Sequence, residues 1–430
     1  MNKPVCMQAN PMAVFPLMPA NLPSLISLLT KNVPESCRPA VANAVFPALG
    51  TLVSDVRFDL IDGSTGKEPT FMCVLMAKQS SGKSAVNAPI KFILERVEQR
   101  DKVNRLREKA WLAAVNSCSS RQEKPERPDD LVIQILCDDM TNAAFVRRLA
   151  DAKGRYIYTK MDELELLNNL RTSGTKDVGK IIRLGFDNAE YGQERVSRNA
   201  VTDRVPVRWN WNASATIPKG MEFFRSRLID GTLSRVNLCT IVRERGAEFH
   251  YQPYDQSFAD SLKPYLDNLE NTHGDIYCDE AFRMAQRLQN KCMDISYQCD
   301  DMVFEELASR AVTIAYMKAM VLYIANSCKW DDAIDQFCEW SLDYDMACKC
   351  HFFGRQIAFA QSKEDFTSRR GPVNLLAYLP ANFTKQDLVN LRLNVGMSED
   401  CSSILKVWTC RKYIAYNKST GFYTQIQACA

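Results

Sequence analysis

Phe71-Met72-Cys73-Val74-Leu75-Met76-Ala77-Lys78-Gln79-Ser80-Ser81-Gly82-Lys83-Ser84 is the stretch whose reading decides the fold. An apolar run readable as a buried strand gives way to small residues, and an apolar helical pattern resumes after Ser84. Strand, tight loop and helix N-terminus in that order suit an anion, because backbone N–H groups converge on it at the positive end of the helix. The spacing follows G-x-x-x-x-G-K-[ST], with Ala77 in place of the first glycine. On this reading Gln79, Ser80, Ser81, Gly82, Lys83, Ser84 and Ala85 bind the phosphates of ATP. Lys83 reaches the β- and γ-phosphates, and the Ser84 hydroxyl holds Mg²⁺. The extra Cβ of Ala77 matters only if the chain needs positive φ there. A chance Gly-Lys-Ser in a serine-rich turn is the bland alternative, and the flanking strand and helix argue against it.

Working outward, such a site needs a carboxylate from a neighbouring strand. Leu131 to Cys137 reads as a strand ending in Asp138-Asp139, and Arg155 to Met161 as one ending in Asp162-Glu163. Asp162-Glu163 is preferred because it offers a carboxylate to order Mg²⁺ and an adjacent base for the attacking water. Either pair has an ordinary alternative as a helix N-cap. Arg204 to Asn212 reads as a further strand with a polar end, where Asn212 (or Asn210) fits a γ-phosphate sensor. Gly231-Thr232-Leu233-Ser234-Arg235 leads into a strand from Val236 to Val242. Arg235, with Arg225 and Arg227 nearby, is a candidate arginine finger for a neighbouring subunit's nucleotide. Its plain alternative is a surface ion pair with Asp230 or Glu222.

This order predicts an α/β fold: a P-loop NTPase core of the additional-strand type, RecA- or AAA+-like, with a mainly parallel sheet and helices on both faces. Residues 1–68 read as a helical cap and hairpin, 69–245 as the core and 246–365 as a helical bundle, with a linker over 246–273. Residues 366–430 read as helix, helix, helix and hairpin, the order of a winged helix. Its third helix would enter a major groove, and Lys406, Arg411, Lys412 and Lys418 would meet phosphates. Docking of a protein is the alternative use of such a unit.

Composition bounds these readings. The chain has 430 residues, 46% apolar and 24% charged, with a net charge of +3, so a nucleic-acid surface must be a local patch. The basic run from Arg96 to Lys109 is more simply a solvated helix face than a nucleic-acid arm. Prolines at 4, 11, 16, 19 and 23 break the apolar N-terminal stretch, and Ala311–Ala325 is too short to span a bilayer, so no membrane association is expected. Sixteen cysteines without a secretory signal suggest reduced thiols in a cytoplasm. Cys348-Lys349-Cys350-His351 lacks a partner pair and reads as core packing in a helix rather than a zinc site.

With the phosphate loop, Asp162-Glu163, the strand through Trp209–Asn212 and Leu233-Ser234-Arg235 in that order, the chain resembles a known family. It is similar to uncharacterised P-loop ATPases of bacterial mobile elements and phages, often fused to or encoded beside primase-like domains. The likeness covers roughly residues 15–350, and Ala77 departs from the family's loop. The resemblance implies a replicative helicase or primase-associated motor, a ring-shaped homo-oligomer acting on DNA. No primase-like cluster stands in this chain, so priming would need a primase-like partner. The expected activity is ATP hydrolysis driving movement on DNA, with Lys83, Asp162, Glu163, Asn212 and Arg235 as its catalytic residues and Ser84 and Asp162 as its Mg²⁺ ligands. A nucleotide-gated DNA-binding regulator and a partner-loading ATPase are the other readings.

Overall fold

A computed structural model describes residues 15–426 except 120–122, 171–177, 194–202, 243–249, 300–301, 368–374, 395–398 and 411. The chain divides into two compact units, Met1–Gly354 and Arg355–Ala430.

The first unit opens on three short helices, α1 (Ser24–Thr30), α2 (Arg38–Ala44) and α3 (Phe46–Leu52). Pro39 and Pro47 sit in the first turns of α2 and α3, where a missing N–H leaves no bond unmade. A short strand follows, β1 (Val56–Arg57). The apolar run 72–77 forms β2 (Met72–Ala77), fully buried, and the loop after it feeds a 3-10 turn and the long helix α4 (Asn87–Ser117). Then come β3 (Ile135–Leu136), α5 (Asn142–Asp151), β4 (Ile157–Met161) and α6 (Gly179–Phe186).

The expected single strand from Arg204 to Asn212 is two elements. β5 (Glu190–Gln193) and β6 (Asp203–Pro206) pair antiparallel as a separate ribbon. The chain then breaks at Val207-Arg208 before β7 (Trp209–Thr216) begins. Val207 N–H still bonds the Ala189 carbonyl at 3.0 Å, and the Arg208 guanidinium then turns to Glu68, with two bonds of 2.6 Å. After β7 come α7 (Ile217–Phe224) and β8 (Asn237–Cys239).

β3, β4, β7, β2 and β8 lie side by side in that order, all parallel. The fold is therefore α/β with a parallel central sheet. β7, in the middle, alternates strictly: Trp209, Trp211, Ala213 and Ala215 share one face, and Asn210, Asn212, Ser214 and Thr216 the other. A buried polar face needs hydrogen bonds, and Asn212 has both ends of its amide engaged while Asn210 uses its oxygen alone. Asn210 Oδ1 accepts from the Phe71 N–H at 2.6 Å. Asn212 donates to the Ala44 carbonyl and accepts from the Tyr158 hydroxyl, each at 2.8 Å. On the other side α7 packs so closely on β2 that a Cβ at Gly220 would stand 2.7 Å from the Met76 side chain.

α4 covers the open edge of β3, a place where unpaired N–H and C=O groups would otherwise face solvent. Asp101 accepts from the N–H groups of Gln134 and Ile135, Asn104 donates to the Val132 carbonyl and Arg105 to that of Ile135. The basic run of this helix is largely paired: Arg96 with Asp267 and Glu270, Arg100 with Glu270, Arg107 with Asp130. It is the solvated, ion-paired face rather than an open arm.

The stretch read as a linker contains α8 (Gln256–Asn271), capped by Asp255, whose carboxylate accepts from Phe258 N–H at 3.0 Å. β9 (Gly274–Asp275) returns to pair with β1, and α9 (Asp279–Cys299), α10 (Met302–Ala325) and α11 (Asp332–Thr367) follow. These helices are not a body apart from the sheet. Lys318 of α10 is fully buried and donates to Asn43 Oδ1 (2.7 Å), Asn237 Oδ1 (2.8 Å) and Ser341 Oγ (2.7 Å). Asp345 of α11 accepts from the Leu238 N–H and pairs with buried Lys349 at 2.7 Å. Among the described residues, Phe304–Ala325 is long and apolar enough to cross a membrane, yet 78% of its most apolar window is buried within the fold. The thirteen described cysteines are all free thiols. Cys348 and Lys349 are core residues of α11, and His351 packs edge-on to Phe15.

In the second unit a 3-10 turn (Leu375–Tyr378) leads to β10 (Asn382–Phe383), α12 (Lys385–Asn394), α13 (Ser402–Cys410), β11 (Ile414–Tyr416) and β12 (Tyr423–Gln425). β12 lies between β10 and β11, both antiparallel to it. Phe383, Leu388, Cys401, Leu405, Trp408 and Ile414 form its separate apolar core. Of the three helices expected, α12 and α13 form and the first is the 3-10 turn Leu375–Tyr378; the hairpin is β11 and β12. β10, only two residues long, has no sequence signal.

Candidate nucleotide site

All five strands of the central sheet run the same way, so their C-terminal ends share one edge. The loop after β2, Asp138-Asp139 after β3, Asp162-Glu163 after β4 and Thr216 at the end of β7 all lie there. Clefts at this edge are the usual ligand sites of open parallel sheets.

The loop is shaped by two left-handed residues, Ser80 (φ 55°) and Gly82 (φ 85°). Left-handed residues alternating with ordinary ones turn successive N–H groups toward one point, a concavity that binds anions. Ala77 is the last residue of β2, extended and paired with Thr216, so glycine's freedom is not needed there. Ser81 is buried and its hydroxyl donates to the Lys78 carbonyl at 2.7 Å. Lys83 folds back so that Nζ donates to the same carbonyl at 3.3 Å. Gln79, Ser80 and Ser84 are exposed; Ala85 is buried, and its N–H closes the first turn on Gly82.

Two strand spacings, about 10 Å, separate the end of β4 from that of β2, with β7 between them. Asp162 is 82% exposed, and Lys160 donates to its Oδ1 at 3.0 Å. Glu163 is exposed beside it, and the segment that follows is tied to α7 by the Glu165–Lys219 pair at 3.1 Å. Asp138-Asp139 does not cap α5; that role falls to Thr141, whose side chain accepts from Ala144 N–H, while Asp139 accepts from Asn169 at 3.3 Å.

Two expected residues are not at this edge. Asn212 pairs with Cys73, four residues short of the loop, and both ends of its amide are engaged inside the core. β7 runs on to Thr216, so the polar residues nearest the loop are Ser214 and Thr216. Reading the strand as 204–212 hid them, although the alternation Trp-Asn-Trp-Asn-Ala-Ser-Ala-Thr marks the strand's true extent. Arg235 precedes β8 at the opposite, N-terminal edge. Its side chain is 13% exposed and bonds both oxygens of Asp187, at 3.3 and 2.8 Å, and the Gly231 carbonyl at 2.9 Å. A guanidinium held this way has no freedom to reach into a neighbouring subunit. Its expected partner Asp230 pairs with Arg183 instead, at 2.5 Å. Arg227 is buried over the Phe223 ring, and Arg225 is exposed.

Among the described residues no three His, Cys, Asp or Glu side chains come together to hold a metal by themselves. The Ser84 hydroxyl and the Asp162 carboxylate are hard oxygen donors, the kind Mg²⁺ takes when phosphates and water complete its shell. No family model and no curated protein sequence matches this chain.

Proposed function

We propose that this protein is a P-loop ATP hydrolase and that it uses the reaction to move on or unwind DNA. One observation carries the hydrolase reading. The strand ending in Gln79–Ser84 and the strand ending in Asp162-Glu163 are separated by one further parallel strand, with all three ends on one edge. That order is the arrangement an additional-strand P-loop core requires.

Gln79, Ser80, Ser81 and Gly82 bind the phosphates through their backbone, and Lys83 swings from the Lys78 carbonyl onto the β- and γ-phosphates. Ser84 and Asp162 would hold Mg²⁺, which screens phosphate charge when bound. Glu163 accepts a proton from the attacking water, and Thr216 touches the terminal phosphate from the end of β7. Catalysis of this kind is mostly positioning and charge stabilisation.

The DNA part of the reading rests on charge. Residues 355–430 hold ten Lys and Arg against five Asp and Glu, so the small unit carries more than the whole positive excess of the chain. A winged helix describes its element order. The resemblance to mobile-element ATPases extends the reading to replication, in a cytoplasm, with a ring of copies and a primase-like partner. ATP turnover measured with and without single-stranded DNA tests it. Turnover stimulated by DNA and abolished by Lys83→Ala is the expected result; turnover indifferent to Lys83→Ala overturns it.

A further inference from the structure

We propose that the hairpin of the small unit is a stacking platform for unpaired nucleic acid, and that α13 is not a reader of the duplex major groove. The inference rests on the DNA reading above and says which form of nucleic acid the unit takes.

A groove-reading helix puts Arg, Lys, Asn or Gln onto base edges, with its N-terminal residues foremost. The exposed positions of α13 are Ser402, Ser403, Lys406, Val407, Thr409 and Cys410, so one cation serves the whole face. Its leading end is acidic. Glu399 and Asp400 are exposed there, and Asp400 accepts from the Ser402 N–H at 3.0 Å, which holds its carboxyl below the ordinary range and keeps it charged. Phosphates flanking a groove would meet that charge first.

The hairpin presents the opposite chemistry. Tyr413, Tyr416 and Phe422 are 46%, 47% and 42% exposed, unusual for rings that a small core could bury. Exposed Lys412 and Lys418 stand beside them in sequence. Lys412 is held in a left-handed conformation that glycine adopts more easily, at the close of α13, and Tyr413 follows it directly. The turn is built: Asn417 accepts from Ser419, Gly421 N–H donates to the Asn417 carbonyl, and Asn417 N–H to that of Phe422. Tyr416 leans on Tyr423 (4.6 Å between centroids), which stacks on Phe383, so the hairpin is anchored to the core while Phe422 and Tyr413 remain outward. Aromatic rings with neighbouring cations bind single strands by stacking on bases and neutralising phosphates, without reading sequence.

The test uses the full chain without ATP or Mg²⁺, so that failure of the hydrolase reading leaves the outcome intact. Fluorescence anisotropy compares a labelled oligothymidylate of about 20 nucleotides with a duplex of the same length. Tighter binding of the single strand is expected, weakened about tenfold by Phe422→Ala or Tyr413→Ala and restored by Phe422→Trp. Lys418→Gln should reduce the slope of log affinity against log salt by about 0.7. Preference for the duplex, or affinity untouched by both ring substitutions in folded protein, overturns the proposal. So does absence of binding to either oligonucleotide, which would make the unit a protein-docking module.

Discussion

Thr216 pairs with Ala77 across the two central strands, so the last residue of β7 stands level with the residue that opens the loop. Asn212, four residues earlier, bonds only to the Tyr158 hydroxyl and the Ala44 carbonyl. The two side chains share a face of one strand and divide its work, one at the ligand edge and one in the core. Thr216→Val should therefore leave nucleotide affinity near wild type and lower turnover by tenfold or more. Asn212→Ala should instead cost about 1–3 kcal/mol of stability by stranding a buried carbonyl and hydroxyl, with turnover per folded molecule preserved. Steady-state kinetics beside urea denaturation separates the two.

The adjacent acids at the end of β4 are expected to fail differently. Asp162→Asn removes the charge that would order Mg²⁺, so the metal-dependent part of nucleotide affinity should fall. Glu163→Gln keeps the donor geometry but removes the base. Binding should hold while hydrolysis drops by about 10²–10⁴-fold. Equal loss of binding in both variants would remove the distinction. Titration of a fluorescent ATP analogue with and without Mg²⁺, beside phosphate release, measures both.

Much of this edge was legible from the order of residues. A buried strand, small residues and Gly-Lys-Ser need only local chemistry, and the acids after β4 follow a β-prone run from Arg155 to Met161. What failed were readings that depend on where a strand stops. One apparent strand is two elements that part at Arg208, whose pair with Glu68 is a long-range contact invisible to periodicity. Arg235 looked free because its partner, Asp187, lies 48 positions away. The stretch 246–273 looked like a linker because it is polar and aromatic overall, although Phe258, Leu262, Leu266 and Leu269 recur at helical spacing and form the buried stripe of α8. Residues 246–365 read as a helical bundle of their own because nothing local shows that Lys318 bonds to Asn43 and Asn237.

Lys318 also makes stability depend on pH in an unusual direction. Burial lowers its pKa from 10.5 to about 8, and the same cause lowers Lys67 to about 7. Below those values both lysines are charged whether the chain is folded or not. Between about 8 and 10.5 the unfolded chain keeps a proton that folded Lys318 has released, so unfolding takes up protons and stability rises with pH. Raising pH from about 7.5 to about 9.5 should favour wild type over Lys318→Met by roughly 2 kcal/mol. Urea midpoints at the two pH values read this; a constant difference would mean that Lys318 keeps its proton.

The ion pair at Asp162 sets a last expectation. Lys160, two residues upstream on the same face of β4, donates to Asp162 Oδ1 at 3.0 Å, with side chains 32% and 82% exposed. A divalent ion ordered by Asp162 has to compete with that ammonium for the same oxygen. Pairs this exposed contribute no more than about 1 kcal/mol, so the competition is modest. Lys160→Met should then lower the Mg²⁺ concentration at half-maximal ATP hydrolysis by about two- to fivefold. If Lys160 instead touched the phosphates, the same variant would lose nucleotide affinity at saturating Mg²⁺. Hydrolysis assayed over a Mg²⁺ titration at fixed ATP, with binding measured at the upper end, distinguishes a lysine that guards the carboxylate from one that serves the substrate.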